Sequence, residues 1–158
     1  MFNKIENRPI ILVLFVLLVF AGTIIYLKLN ELNLIQSISD ENSTSLKNSI
    51  VYNISTNIEK NISDDELVQR ISKATGSTTK IINSDEATSV REFLLDKPYI
   101  TYALIDFDNT HGTTQKILYA KKESSAVKEK YESIKKEYSI LILLFLLFAL
   151  ILTTALFL

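Results

Sequence analysis

Three residues at alternate positions, Asp106, Asp108 and Thr110, are the first in this chain whose types and spacing suggest chemistry. Asp106-Phe-Asp108-Asn-Thr110 follows an apolar run, the order in which one aspartate acts as nucleophile toward phosphate and the next as acid and base. That chemistry needs a parallel α/β sheet and later Lys and acidic motifs for phosphate and Mg²⁺, and only about 30 residues separate Thr110 from the terminal apolar run. The same spacing opens a calcium loop, but the sixth and twelfth positions, which must be Gly and Glu, are His111 and Ile117. The reading left is a solvated acidic turn in which Asn109 and Gly112 supply the left-handed backbone. His111 titrates near neutrality, so Asp106, Asp108 and His111 together form a candidate pH- or ion-sensing turn.

A second group suits binding. Tyr99, Thr101 and Tyr119 fall on neighbouring strand candidates and are expected on one face of a sheet, with Arg91 as the partner of an anionic ligand. Core packing explains the tyrosines equally well. With no cysteine in the chain, disulfides, thiolate metal sites and cysteine nucleophiles are excluded, and no metal site is expected. Seventeen Lys and Arg against eighteen Asp and Glu, unclustered, give no footprint for nucleic acid.

The elements that position these residues begin with two apolar runs, Ile10 to Leu29 and Tyr138 to Leu158. Neither contains Asp or Glu, and Lys28 is the only charge in either. As a helix each covers roughly 30 Å, the thickness of a hydrocarbon core. The first is longer than a signal-peptide core and has no small-residue cleavage site after it, so it reads as an uncleaved anchor started by Pro9. Lys4 and Arg8 favour a cytoplasmic N-terminus, and a middle of this length translocates regardless of its own charges. The expected division is a cytoplasmic tail at 1–8, a first span at 9–29, an extracytoplasmic domain at 30–137 and a second span at 138–158. No basic residue follows the second span, so the chain is expected to continue into the cytoplasm.

Within the middle, Leu32, Ile35 and Ile38 keep a helical spacing, and Leu46, Ile50, Ile54, Ile58 and Ile62 form a second apolar stripe. Ser39 to Ser45 holds no apolar residue and is either a break or a solvated turn of one helix. Ser63 and Glu66 make a capping box for a helix that ends near Gly76. Lys80 to Asn83 is a short strand, and Glu86 to Asp96 a helix with Val90, Phe93 and Leu94 on one side and Pro98 as its stop. Tyr99 to Phe107 and Gln115 to Ala120 form a hairpin, too close in sequence for a parallel crossover. From Glu123 the spacing of Val127, Tyr131, Ile134 and Tyr138 is helical again and runs into the second apolar stretch. The fold class is α+β: two transmembrane helices flanking a small extracytoplasmic domain of long helices and a small antiparallel sheet.

That layout resembles the PAS-like or Cache-like extracytoplasmic input domain of bacterial sensor histidine kinases. The likeness rests on Tyr99-Ile-Thr-Tyr-Ala-Leu-Ile-Asp106, Gly112 and Lys116-Ile-Leu-Tyr-Ala120: an apolar strand ending in Asp, a Gly-containing turn, and an apolar strand returning. The turn here is longer than the family's Asp-x-x-Gly. The resemblance implies a homodimer in the bacterial inner membrane that passes an unknown extracytoplasmic stimulus to a cytoplasmic output. Phosphoacceptor histidine, ATP, Mg²⁺ and the cognate response regulator all belong to that output, so no catalytic residue and no cofactor is expected in this chain. His111, in an outer turn, is not the phosphoacceptor.

Two rivals keep their place. One is a small membrane-anchored structural or interaction protein of the cell envelope. The other is a eukaryotic lipid-anchored surface protein, suggested by sequons at Asn42, Asn53 and Asn61 and by Ser124-Ser-Ala126 ahead of an apolar tail.

Overall fold

The computed structural model describes residues 8–58, 62–107 and 116–157. The chain is mostly helical, with one small sheet. Its elements are α1 (Arg8–Ile58), α2 (Asp64–Thr75), β1 (Thr78–Ile82), α3 (Ser84–Leu94), β2 (Ile100–Phe107), β3 (Lys116–Glu123) and α4 (Ser125–Phe157). Two compact units form, Met1–Leu34 with Glu129–Leu158, and Ile35–Lys128.

In the unit 35–128 the three strands are antiparallel in the order β1-β3-β2. The expected hairpin is present as β2 and β3, with Ala103 opposite Ala120 and Ile105 opposite Leu118. Its turn lies outside the described residues. Strand alternation assigns Ala103, Ile105, Leu118 and Ala120 to one face, where they join Leu46, Ile50 and Ile54 of α1 and Leu67 and Ile71 of α2 in a single core. Ile50, Ile71 and Leu118 are its largest fully buried side chains. Ile62 packs against this core just before α2. On the opposite face α3 contacts β3, and Ile82, Ala87, Leu94, Ile117 and Tyr119 are buried outside the first cluster.

The caps explain where the short helices begin and end. Ser63 Oγ accepts the Glu66 N–H at 3.3 Å, and Gly76, at φ 63°, closes α2 with its N–H on the Ser72 carbonyl. The Glu66 carboxylate pairs with Arg70, four residues on. Asn83 caps α3 through Oδ1 to the Glu86 N–H at 2.8 Å, a start two residues earlier than the apolar spacing suggests. On α3 the inward positions are Ala87, Val90 and Leu94. Phe93, expected on that side, is 65% exposed with the Lys97 ammonium 2.8 Å from its ring centroid.

α1 runs without a break through Ser39 to Ser45. Its hydroxyls and amides bond along the helix: Thr44 Oγ1 donates to the Asp40 carbonyl at 3.0 Å, and Gln36 Nε2 to Asp40 Oδ1 at 3.1 Å. Ser39 is buried, and it takes the inward position that the spacing assigns to Ile38, which is 49% exposed.

The other unit is formed by the first part of α1 and most of α4. Both helices are long and apolar enough to cross a membrane, and their apolar windows bury none of their residues. Phe20 and Leu143 are 65% and 70% exposed, surface that water disfavours and hydrocarbon accepts. Gly22 of α1 faces the Phe145 ring of α4: a Cβ built there would sit 3.8 Å from it, an ordinary packing distance. Lys28 of α1 pairs with Glu137 of α4 at 3.0 Å.

Candidate ligand-binding site

β2 lies at the edge of the sheet, so the N–H and C=O groups along its outer side have no strand partner among the described residues. α1 supplies one partner, since the Tyr102 N–H donates to Ser43 Oγ at 3.2 Å. The polar run of α1 is therefore the part that faces a strand edge, where hydroxyls serve better than methyl groups.

Along this edge is an open cavity of about 330 Å³. Asp40, Ser43, Thr44 and Lys47 line it from α1, Arg91 from α3, and Tyr102, Ala103 and Leu104 from β2. The spacing 40, 43, 44, 47 is one face of a helix, which is why these four side chains converge. Asp40 is held by Gln36. Lys47 and Arg91 have no ion-pair or hydrogen-bond partner among the described residues.

A second, larger cleft of about 750 Å³ meets β2 at Thr101. Asn42, Ser45, Ser49, Thr75, Thr101 and Ser125 line it, with Lys122 and Glu123 at the end of β3. Glu123 is occupied by Lys128 at 3.2 Å.

The residues singled out from sequence are dispersed between these places. Arg91 lines the smaller cavity and Thr101 the larger cleft. Thr101 is opposite Lys122 and Tyr119 opposite Leu104, so alternation puts Thr101 and Tyr119 on opposite faces of the sheet instead of the one face expected. Tyr99 is buried just before β2, its carbonyl accepting the Ser124 N–H at 3.2 Å and its ring 5.4 Å from the Lys128 ammonium. Tyr119 is buried as well, 5.8 Å from the Lys80 ammonium, which is itself paired with Glu86. Burial pushes the Tyr119 phenol above its ordinary pKa, and the charge of Tyr102 adds to the shift. Asp106 is exposed near the end of β2; Asp108 and His111 lie outside the described residues.

Sequence reasoning missed Asp40, Ser43, Lys47 and Tyr102. The signal of the three on α1 was present as the polar spacing inside Ser39 to Lys47, but an apolar count reads such a run as a gap. Among the described residues no group of three His, Cys, Asp or Glu side chains is placed to hold a metal ion. Comparison with protein-family models, with curated proteins and with solved structures finds no match to this chain.

Proposed function

We propose that the chain is the sensory input and transmembrane signalling part of a bacterial sensor histidine kinase, held as a homodimer in the inner membrane. The observation that carries this reading is the element order. A compact α+β unit stands between two helices that are each apolar enough to cross a membrane, and α1 and α4 each extend as one helix from residues of that unit into an apolar stretch. A helix transmits rotation and translation along its axis, which a flexible linker does not. In this reading the unit 35–128 is extracytoplasmic, lipid surrounds the two spans, and a stimulus outside shifts α4. Phosphotransfer, with ATP, Mg²⁺ and a response regulator, belongs to an output domain beyond these residues.

Phe93 and Leu95, exposed by 65% and 68% on the α+β unit, favour a second reading, an envelope anchor whose outer domain docks a partner protein.

Fusion of residues 1–158 to the cytoplasmic kinase half of a characterised sensor separates the two. Insertion of one to four residues after Ile134 turns the downstream helix by about 100° per residue. The signalling reading expects kinase activity to rise and fall with the inserted number. Equal activity in all insertions would leave the anchor reading.

A further inference from the structure

We propose that the cavity between α1, α3 and the edge of β2 binds a small organic anion through a carboxylate group. Two cations, Lys47 of α1 and Arg91 of α3, lie 44 residues apart in sequence, line one cavity, and lack any partner among the described residues. Arg70, Lys80, Lys116 and Lys128 of the α+β unit are each paired with a carboxylate. Asp40, which accepts from Gln36, is the one carboxylate in the lining, so two cations against one anion leave the cavity an excess of positive charge. Ser43 accepts the Tyr102 N–H, which leaves its own proton free to donate into the cavity. A planar carboxylate matches this set: the guanidinium of Arg91 offers a two-pronged contact, Lys47 a point charge, and Ser43 a hydroxyl.

Phosphate fits less well. Phosphate sites draw on free backbone N–H groups at helix starts or in turns. Here α1 passes the cavity in mid-helix, with its N–H groups used internally, and Arg91 sits in the last turns of α3. The volume, about 330 Å³, suits a metabolite-sized ligand. Binding is a property of the α+β unit and stands apart from the kinase reading: a site that binds carboxylates in a chain with no signalling output would defeat only the latter.

The test is isothermal titration of the full chain in detergent micelles with acetate, succinate, glutamate and inorganic phosphate. At least one of the three carboxylates is expected to saturate a single site with Kd below about 1 mM, with phosphate at least about tenfold weaker. Arg91→Gln and Lys47→Gln each weaken that carboxylate roughly tenfold or more, the scale of a lost charge-assisted bond. Asp40→Asn removes the repulsive charge and tightens acetate and succinate, a gain that misfolding cannot mimic. Saturation by none of the carboxylates, phosphate binding as tightly as the best of them, or affinity unchanged in both cation variants would each overturn the proposal.

Discussion

Lys28 Nζ lies 3.0 Å from Glu137 Oε2, a pairing of α1 with α4 at the end of both apolar stretches, and 3.3 Å from Glu31 Oε2 on its own helix. A lysine at the end of an apolar stretch lays its stem along apolar surface and turns its charge outward, here to the two acidic partners. The same unit brings Gly22 against Phe145. These two contacts fix which faces of the helices meet within one chain.

The pairing predicts a cross-link. The chain has no cysteine of its own, so Lys28→Cys with Glu137→Cys gives a clean pair. A short bis-maleimide should join them within one chain, shifting the mobility of the monomer band. Cysteines in place of Lys28 and Leu143 should not join, since Leu143 lies well along the apolar stretch and is 70% exposed.

Stability of the α+β unit should depend on its inward stripe and barely on its outward aromatic. Leu118→Ala, at a fully buried position on the central strand, is expected to cost about 2–5 kcal/mol. Phe93→Ala removes an exposed ring and one cation contact, so about 1 kcal/mol or less is expected. Urea unfolding followed by circular dichroism in micelles measures both.

Gly76 offers a test of backbone conformation alone. No atom stands within 4 Å of a Cβ built there, while φ is +63°. Gly76→Ala should therefore destabilise by about 1–2 kcal/mol through the left-handed conformation, and Gly76→Asn by less. Equal losses for the two would point to a steric cause that the structure does not contain.

The Tyr119 phenol gives a pH signature. Its pKa is raised in the folded chain, so the folded state holds the proton more tightly than the unfolded one. The associated stability is complete below the unfolded value of about 10 and is lost as pH rises through the folded value. Other groups titrate in the same range, so the measurement is the difference between the native chain and Tyr119→Phe. The native chain should lose more stability above about pH 10 than the variant does.

Much of this fold was legible because its signals are local. The alternation in β2 and β3, the Ser63 cap and the Gly76 stop each depend on neighbours within a few residues, and the stripe of Leu46, Ile50 and Ile54 needs only helical periodicity. Ser39 to Ser45 was not legible for a physical reason. Its helix turns a polar face to the edge of β2, and the need for hydroxyls there arises only once the sheet order makes β2 an edge strand. The candidate site shares that origin. Arg91 was visible as a candidate partner of an anionic ligand, yet the residues that share its cavity from α1 are linked to it by no spacing. The faces of Thr101 and Tyr119 likewise follow from the strand register and not from residue type.

The central claim is that two helices cross a membrane and the α+β unit stands outside it. Its most direct test is labelling of single cysteines with a membrane-impermeant maleimide in intact bacteria expressing the chain. Ser89→Cys, on the exposed side of α3, should label in intact cells. Asn3→Cys should label only after lysis, and Leu144→Cys, an exposed position in the second apolar stretch, only in detergent. Labelling of Ser89→Cys that requires lysis, or labelling of Leu144→Cys in aqueous buffer as readily as Ser89→Cys, would contradict the account.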